Sequence, residues 1–181
     1  MLNNYRRAWQ RPVVKTISTW RWLRVRTIKF QPKSLRQRAL EYLGKREYSY
    51  AELGQKLKTY LEEDENFEVI TDILEDFKTR GWLSDVRFTE QIVHARSHKF
   101  GASKIANELR EKGVSPDLIE TAIEQVKENE LDNAKEIWRK KFKAIPASRD
   151  EWARQARFLQ SRGFGFDVIK KVLNSKLEDD N

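Results

Sequence analysis

The sequence predicts an all-α protein of three tandem three-helix repeats behind a basic N-terminal extension. Three observations carry that reading. A ten-residue phrase recurs as EVITDILEDF from Glu68, DLIETAIEQV from Asp117 and DVIKKVLNSK from Asp167, at intervals of 49 and 50 residues. Each copy opens on an acid and then places apolar residues at offsets of three and four, such as Val69, Ile70, Ile73 and Leu74, which trace one helical face. A lysine or arginine followed by glycine and a large apolar residue recurs at Gly81-Trp82, Gly113-Val114 and Gly163-Phe164. There a left-handed glycine ends a helix, and the next residue folds back on it. A fixed period of this length implies stacked units that share a core with their neighbours.

In the first repeat, Leu35, Ala39, Leu40 and Leu43 predict one helix. Ser49 with Glu52 is a capping-box pattern that opens a second helix through Leu53 and Leu57, and the Glu68 phrase is the third. In the second repeat, Phe88, Ile92 and Ala95 give the first helix; Ile105 and Leu109, after Gly101, give the second; the Asp117 phrase follows. In the third, a helix over 131–143 carries Ala134, Trp138 and Phe142, and the next carries Trp152, Ala156 and Leu159 before the Asp167 phrase. The boundaries predicted are 1–33 for the extension, then 34–83, 84–130 and 131–181, the last with a short acidic tail. Strand signals are scarce after residue 34; VVKTISTWRWLRVRTIKF before it is consistent with strand, induced structure or a free arm. Trp82, Phe88, Trp138 and Trp152 are expected in the core. Trp9, Trp20 and Trp22 lie among arginines, where stacking on unpaired bases, insertion at a partner and packing on the domain all remain open.

Net charge is +8, unevenly spread. Residues 1–40 hold eleven Lys or Arg and no acid, residues 41–134 sum to −8, and residues 135–162 sum to +6. Such polarity points to an anionic partner. With no cysteine, neither a disulfide nor a thiolate metal site is available. No apolar run approaches the ~20 residues of a membrane span, and no secretory signal is evident, so a cytoplasmic location is expected. His94 and His98 are four apart, but the glutamate of the zinc-protease pattern and a third ligand are missing. The acidic run at 62–65 sits at a predicted helix break, where charge is solvated or caps the next helix. RGFGFDV from Arg162 matches the RNP1 pattern at five positions, yet only helical spacing follows it, against the strand that motif requires. No phosphate-cradling glycine loop or nucleophile elbow appears. A protein that acts by binding, with no catalytic residue, cofactor or metal, is expected.

In the predicted helix 131–143, Lys135, Arg139 and Lys143 recur every four residues on a face opposite Ala134, Trp138 and Phe142. With Lys140, Arg154, Arg157 and Arg162 they make a candidate basic face for phosphates or acidic protein. An ordinary solvated helix surface is the alternative for each, and the stem of Arg157 can instead cover Trp152 or Phe158.

Arg80-Gly81-Trp82-Leu83 with Asp85, Arg87, Phe88 and Glu90 resembles a signature of the RecX family, regulators of the RecA recombinase. Gly101, Ile105, Glu108, Leu109, Lys112 and Gly113 resemble its central pattern, and Arg157-Phe158-Leu159 with Arg162-Gly163-Phe164, Phe166 and Asp167 its C-terminal one. The resemblance runs over roughly 34–174. Ser84, Thr89 and Gly165 depart from the commoner residues, and the extension lies outside it. It implies three tandem three-helix repeats forming an elongated, curved solenoid in the groove of a RecA filament on single-stranded DNA. Arg80, Arg87, Lys104 and Lys112, in or beside these phrases, become surface candidates. The implied role is a monomeric modulator, mainly an inhibitor, of filament extension, ATP turnover and strand exchange in DNA repair. Alternatives are a sequence-tolerant DNA-binding repeat protein acting without a recombinase, and a scaffold for acidic protein helices.

Overall fold

The computed structural model describes residues 33–61 and 66–174. Trp9, Trp20, Trp22, the rest of 1–32, the acidic run at 62–65 and the tail from 175 lie outside the described residues. Among the described residues there are helices and no strand: α1 (Leu35–Leu43), α2 (Tyr50–Lys58), α3 (Glu68–Thr79), α4 (Asp85–Arg96), α5 (Ala102–Glu111), α6 (Pro116–Glu128), α7 (Glu130–Lys141), α8 (Arg149–Ser161) and α9 (Phe166–Asn174). They group in threes, each set holding a copy of the repeated phrase as its last helix.

Hydroxyl caps start many of these helices. The Oγ atoms of Ser34, Ser49, Ser84 and Ser148 accept the amides of Gln37, Glu52, Arg87 and Glu151. The reciprocal capping box forms at Ser34 and Gln37. At Ser49 only half of the expected box forms, because the Glu52 carboxylate is taken by Arg46 and Lys112. The three glycine stops are as the sequence implies: Gly81, Gly113 and Gly163 have φ of 70°, 71° and 87°. Behind them Trp82, Val114 and Phe164 donate their amides to the carbonyls of Phe77, Leu109 and Leu159, closing the same six-residue ring each time.

Each set of three helices encloses its own core, which corrects the expectation of a core shared between units. Leu53, Leu57, Ile70, Leu74 and Phe77 form the first cluster; Phe88, Ile105, Leu109, Ile119 and Val126 the second; Trp138, Leu159, Ile169, Val172 and Leu173 the third. Leu57, Leu109 and Leu159, at matching places, are all fully buried. Trp82 departs from expectation: it is 44% exposed, lying against Phe77 with ring centroids 5.4 Å apart and the Arg80 guanidinium over its ring. The helix stop turns it outward as it passes over the end of α3.

Between units the contacts are polar and repeat. The Oγ of Ser49, which caps α2, donates to the carbonyl of Lys112 at the end of α5. The amide of Gly101, which caps α5, donates to the carbonyl of Arg162 at the end of α8 (2.9 Å). One residue on, the amide of Tyr50 donates to Asp85 Oδ1 (2.8 Å) and that of Ala102 to Glu130 Oε1 (2.9 Å). Asp85 and Glu130 are the first residues of α4 and α7. α2 and α5 therefore each point their positive end at the negative end of the next unit's middle helix, and a carboxylate on that unit takes a free amide.

This close approach needs glycine. A Cβ on Gly163 would sit 2.6 Å from both Cβ and N of Lys104, and one on Gly101 2.5 Å from the Gly163 carbonyl oxygen. At Gly81 the backbone is equally left-handed, but a Cβ would meet nothing within 4 Å. Gly81→Ala is expected to cost about 1 kcal/mol, the left-handed strain alone, and Gly163→Ala about 2–4 kcal/mol, strain plus overlap. Urea unfolding of the two variants measures the difference, and equal losses would show that the seam adds nothing to stability.

Candidate nucleic-acid interface

The cations fall into two groups. Along α1–α6, most arginines are paired with carboxylates: Arg36 and Arg80 with Asp76, Arg46 with Glu52, Arg87 with Glu47 and Arg96 with Glu108, whereas Arg38 and Arg110 are not. In the third unit none of Arg139, Arg149, Arg154, Arg157 and Arg162 has a carboxylate partner among the described residues. Arg139, Arg154 and Arg157 are exposed.

The sequence-derived candidates divide along the same line. Arg80 is held by Asp76 and lies over Trp82; Arg87 is held by Glu47 and also donates to the Trp82 carbonyl (3.2 Å). Lys112 donates to Glu52 at 2.6 Å, tying α5 to α2 across the seam. Lys104 lies over the Phe100 ring, 4.6 Å from its centroid. These four motif cations have internal partners that account for their placement.

On α7, Lys135 is half-buried with Asp132 at 3.7 Å, and Lys140 pairs with Glu136 at 2.6 Å, holding that carboxyl below the ordinary glutamate range. The expected helix 131–143 ends early. Phe142 turns to extended backbone (φ −122°, ψ 135°) after Lys141, so exposed Lys143 lies beyond the helix and the stripe of Lys135, Arg139 and Lys143 is interrupted. Phe142 leaves the helix and packs edge-on against Phe158 of α8, 5.2 Å between centroids.

What spacing along one helix could not reveal is the meeting of the second and third units. Lys140, Lys141 and Arg162 line a concavity of about 380 Å³ with Lys99 and His98 from the end of α4, over a floor that includes Phe100, Ile137 and Phe158. No acidic side chain lines it, and the Arg162 guanidinium lies 4.0 Å above the Phe158 ring. Sequence reasoning missed Lys99 and Lys141; Lys141 was legible as one of three consecutive last-turn cations on α7, whereas Lys99 is brought there only by the fold. His94 and His98 meet edge-on, 6.2 Å apart, and lie with Asp132 along a larger groove of about 530 Å³ between α4 and α6. No group of three or more metal-ligating side chains occurs among the described residues, and no described helix is long and apolar enough to cross a membrane.

Nine helices among the described residues, in three sets joined by hydrogen bonds at the ends of their middle helices, define a tandem three-helix-repeat protein with a basic third unit. Comparison with known proteins names the class. The family description for the second three-helix domain of RecX matches residues 84–123, and that for the third matches 128–173. The regulatory protein RecX of Leptothrix cholodnii is 42% identical over 140 residues, covering 77% of this chain and 87% of the relative. That of Chromobacterium violaceum is 39% identical over 148 residues, covering 82% and 94%. The crystal structure of RecX from Lactobacillus salivarius superposes with a TM-score of 0.66 at 18% identity, over 76% of this chain and 91% of the other, which shows the shared fold. The chain belongs to the RecX family of regulatory proteins.

The seam also titrates. Burial pushes the Glu52 carboxyl up, but hydrogen bonds from Arg46 and Lys112 outweigh it and hold it below the ordinary 4.5. A depressed folded value means that this stabilisation is complete above about pH 4.5 and is lost as pH falls through the lower folded value. Glu52→Gln is expected to be less stable at pH 7 and to lose less between pH 7 and pH 3, as read by urea midpoints; parallel pH profiles would show no net contribution from the cluster.

Proposed function

We propose that the chain regulates a RecA recombinase, binding its filament on single-stranded DNA and limiting extension, ATP turnover and strand exchange. Family membership supports the regulatory role. The observation that carries the filament reading is the set of arginines in α7 and α8 that the fold leaves without carboxylates, whereas most arginines of the first two units are internally paired. Unpaired guanidinium groups offer planar forks to phosphates or to acidic protein surface. The units, each with its own core and linked by polar seams, would span neighbouring protomers, so a bound copy at a growing end blocks every later addition. In this reading the protein acts by binding, as a cytoplasmic monomer, without a cofactor.

The test is ATP turnover by a preformed RecA filament, titrated with this protein at far below one copy per protomer. Strong inhibition is expected at such ratios, and Arg139→Gln with Lys141→Gln should weaken it while leaving helical content by circular dichroism intact. Inhibition only when the protein is abundant enough to coat the DNA would replace this reading with competition for phosphates.

A further inference from the structure

One apolar feature of the third unit is not explained by its core. Phe166, the first residue of α9, is 66% exposed, the most exposed large apolar side chain among the described residues, whereas Phe164 two positions earlier is buried at 4%. Apolar surface left in water is unfavourable, and grouped with other aromatics it marks a binding surface. Trp152 of α8 is half-buried and meets Phe166 edge-on, with ring centroids 6.3 Å apart and planes at 67°. Its indole N–H donates to Asn174 Oδ1 at 3.4 Å, which orients the ring. Both rings and Arg157 line a shallow cavity of about 320 Å³ that has no acidic lining residue. Arg157 is exposed and has no carboxylate partner among the described residues.

We propose that Trp152, Phe166 and Arg157 form a stacking site for one unpaired base of single-stranded nucleic acid, with a neighbouring phosphate on Arg157. The proposal rests on the reading that the third unit engages a nucleic-acid filament, and it supplies that reading with a subsite. A base is flat and apolar on its face and is joined through its sugar to an anionic phosphate, matching an exposed ring beside an unpaired guanidinium. A duplex is a poorer occupant, since its base faces are already stacked. An apolar protein side chain would use the rings but not the cation, and an acidic peptide the cation but not the rings. The RGFGFD phrase thus divides its aromatics: Phe164 closes the helix stop inside the core, and Phe166 is presented outward at the head of a helix rather than on a strand.

The experiment uses the full chain alone with a fluorescein-labelled oligothymidylate, measuring affinity by anisotropy over a range of salt. Phe166→Ala is expected to lower affinity about 5- to 150-fold, the range for losing one stacked base, with no change in the slope of log affinity against log salt. Arg157→Gln is expected to reduce that slope by about 0.7, the value for one phosphate on a single strand. Phe166→Trp should retain binding, and a duplex of equal length should be indifferent to Phe166→Ala. Because Phe166 is exposed, helical content and urea midpoint should not move. Parent-like oligothymidylate binding by Phe166→Ala overturns the stacking site while leaving the filament reading intact. Should that variant instead lose inhibition of RecA turnover with oligonucleotide binding unchanged, the rings face a protein partner and the proposal fails. Absence of binding by the parent protein at low salt overturns both the site and direct contact with DNA.

Discussion

The structure depends on a contact repeated at its two internal seams, where the capping residue of one unit's middle helix binds the last carbonyl of the next unit's middle helix. Ser49 does so to Lys112 and Gly101 to Arg162. Three independent requirements meet there. Free amides at a helix start and free carbonyls at a helix end need partners, the two ends carry opposite partial charge, and the backbones must come within hydrogen-bonding distance. The last requirement selects glycine at 163 and 101, and leaves Gly113 so close to Ala51 that an added Cβ would lie 2.4 Å from it. Asp85 and Glu130 complete the seams from the first positions of α4 and α7. The three cores remain separate clusters, and these seam contacts between them are hydrogen bonds at helix ends.

At the start of α8 the caps are local: Ser148 Oγ accepts the amide of Glu151, whose carboxylate accepts the amide of Ala147 at 2.8 Å. At the end of α2 the position matching Gly113 and Gly163 is Leu61, which cannot offer the same left-handed approach without strain.

Charge follows from the same architecture. Where carboxylates are abundant, in the first two units, arginines serve the seam and the helix ends. Arg46 and Lys112 converge on Glu52, and Arg87 bridges Glu47 and the Trp82 carbonyl. In the third unit the balance reverses and guanidinium groups are left for other partners. That is why motif cations such as Arg87 and Lys112, conspicuous in the sequence, have internal work, while Arg139 and Arg154 stand free.

The repeated apolar offsets were enough to place every last helix, because burying one face of a helix imposes a spacing that survives in the linear chain. The three glycine stops were legible as left-handed helix ends with the next apolar residue folded back, since that pattern leaves few alternatives. By itself the sequence determined the helical class, the threefold period, the location of the basic unit and the family. Tertiary structure alone decided that Glu52 would abandon its own capping box for Arg46 and Lys112, that Trp82 and Phe166 would face outward, and that Lys99 would join Lys140, Lys141 and Arg162. It also ended α7 at Lys141 by drawing Phe142 onto Phe158. Periodicity reports which face of a helix is apolar, but which side chains from different helices converge depends on how the helix ends are seated against one another, and that is set by contacts remote in the chain.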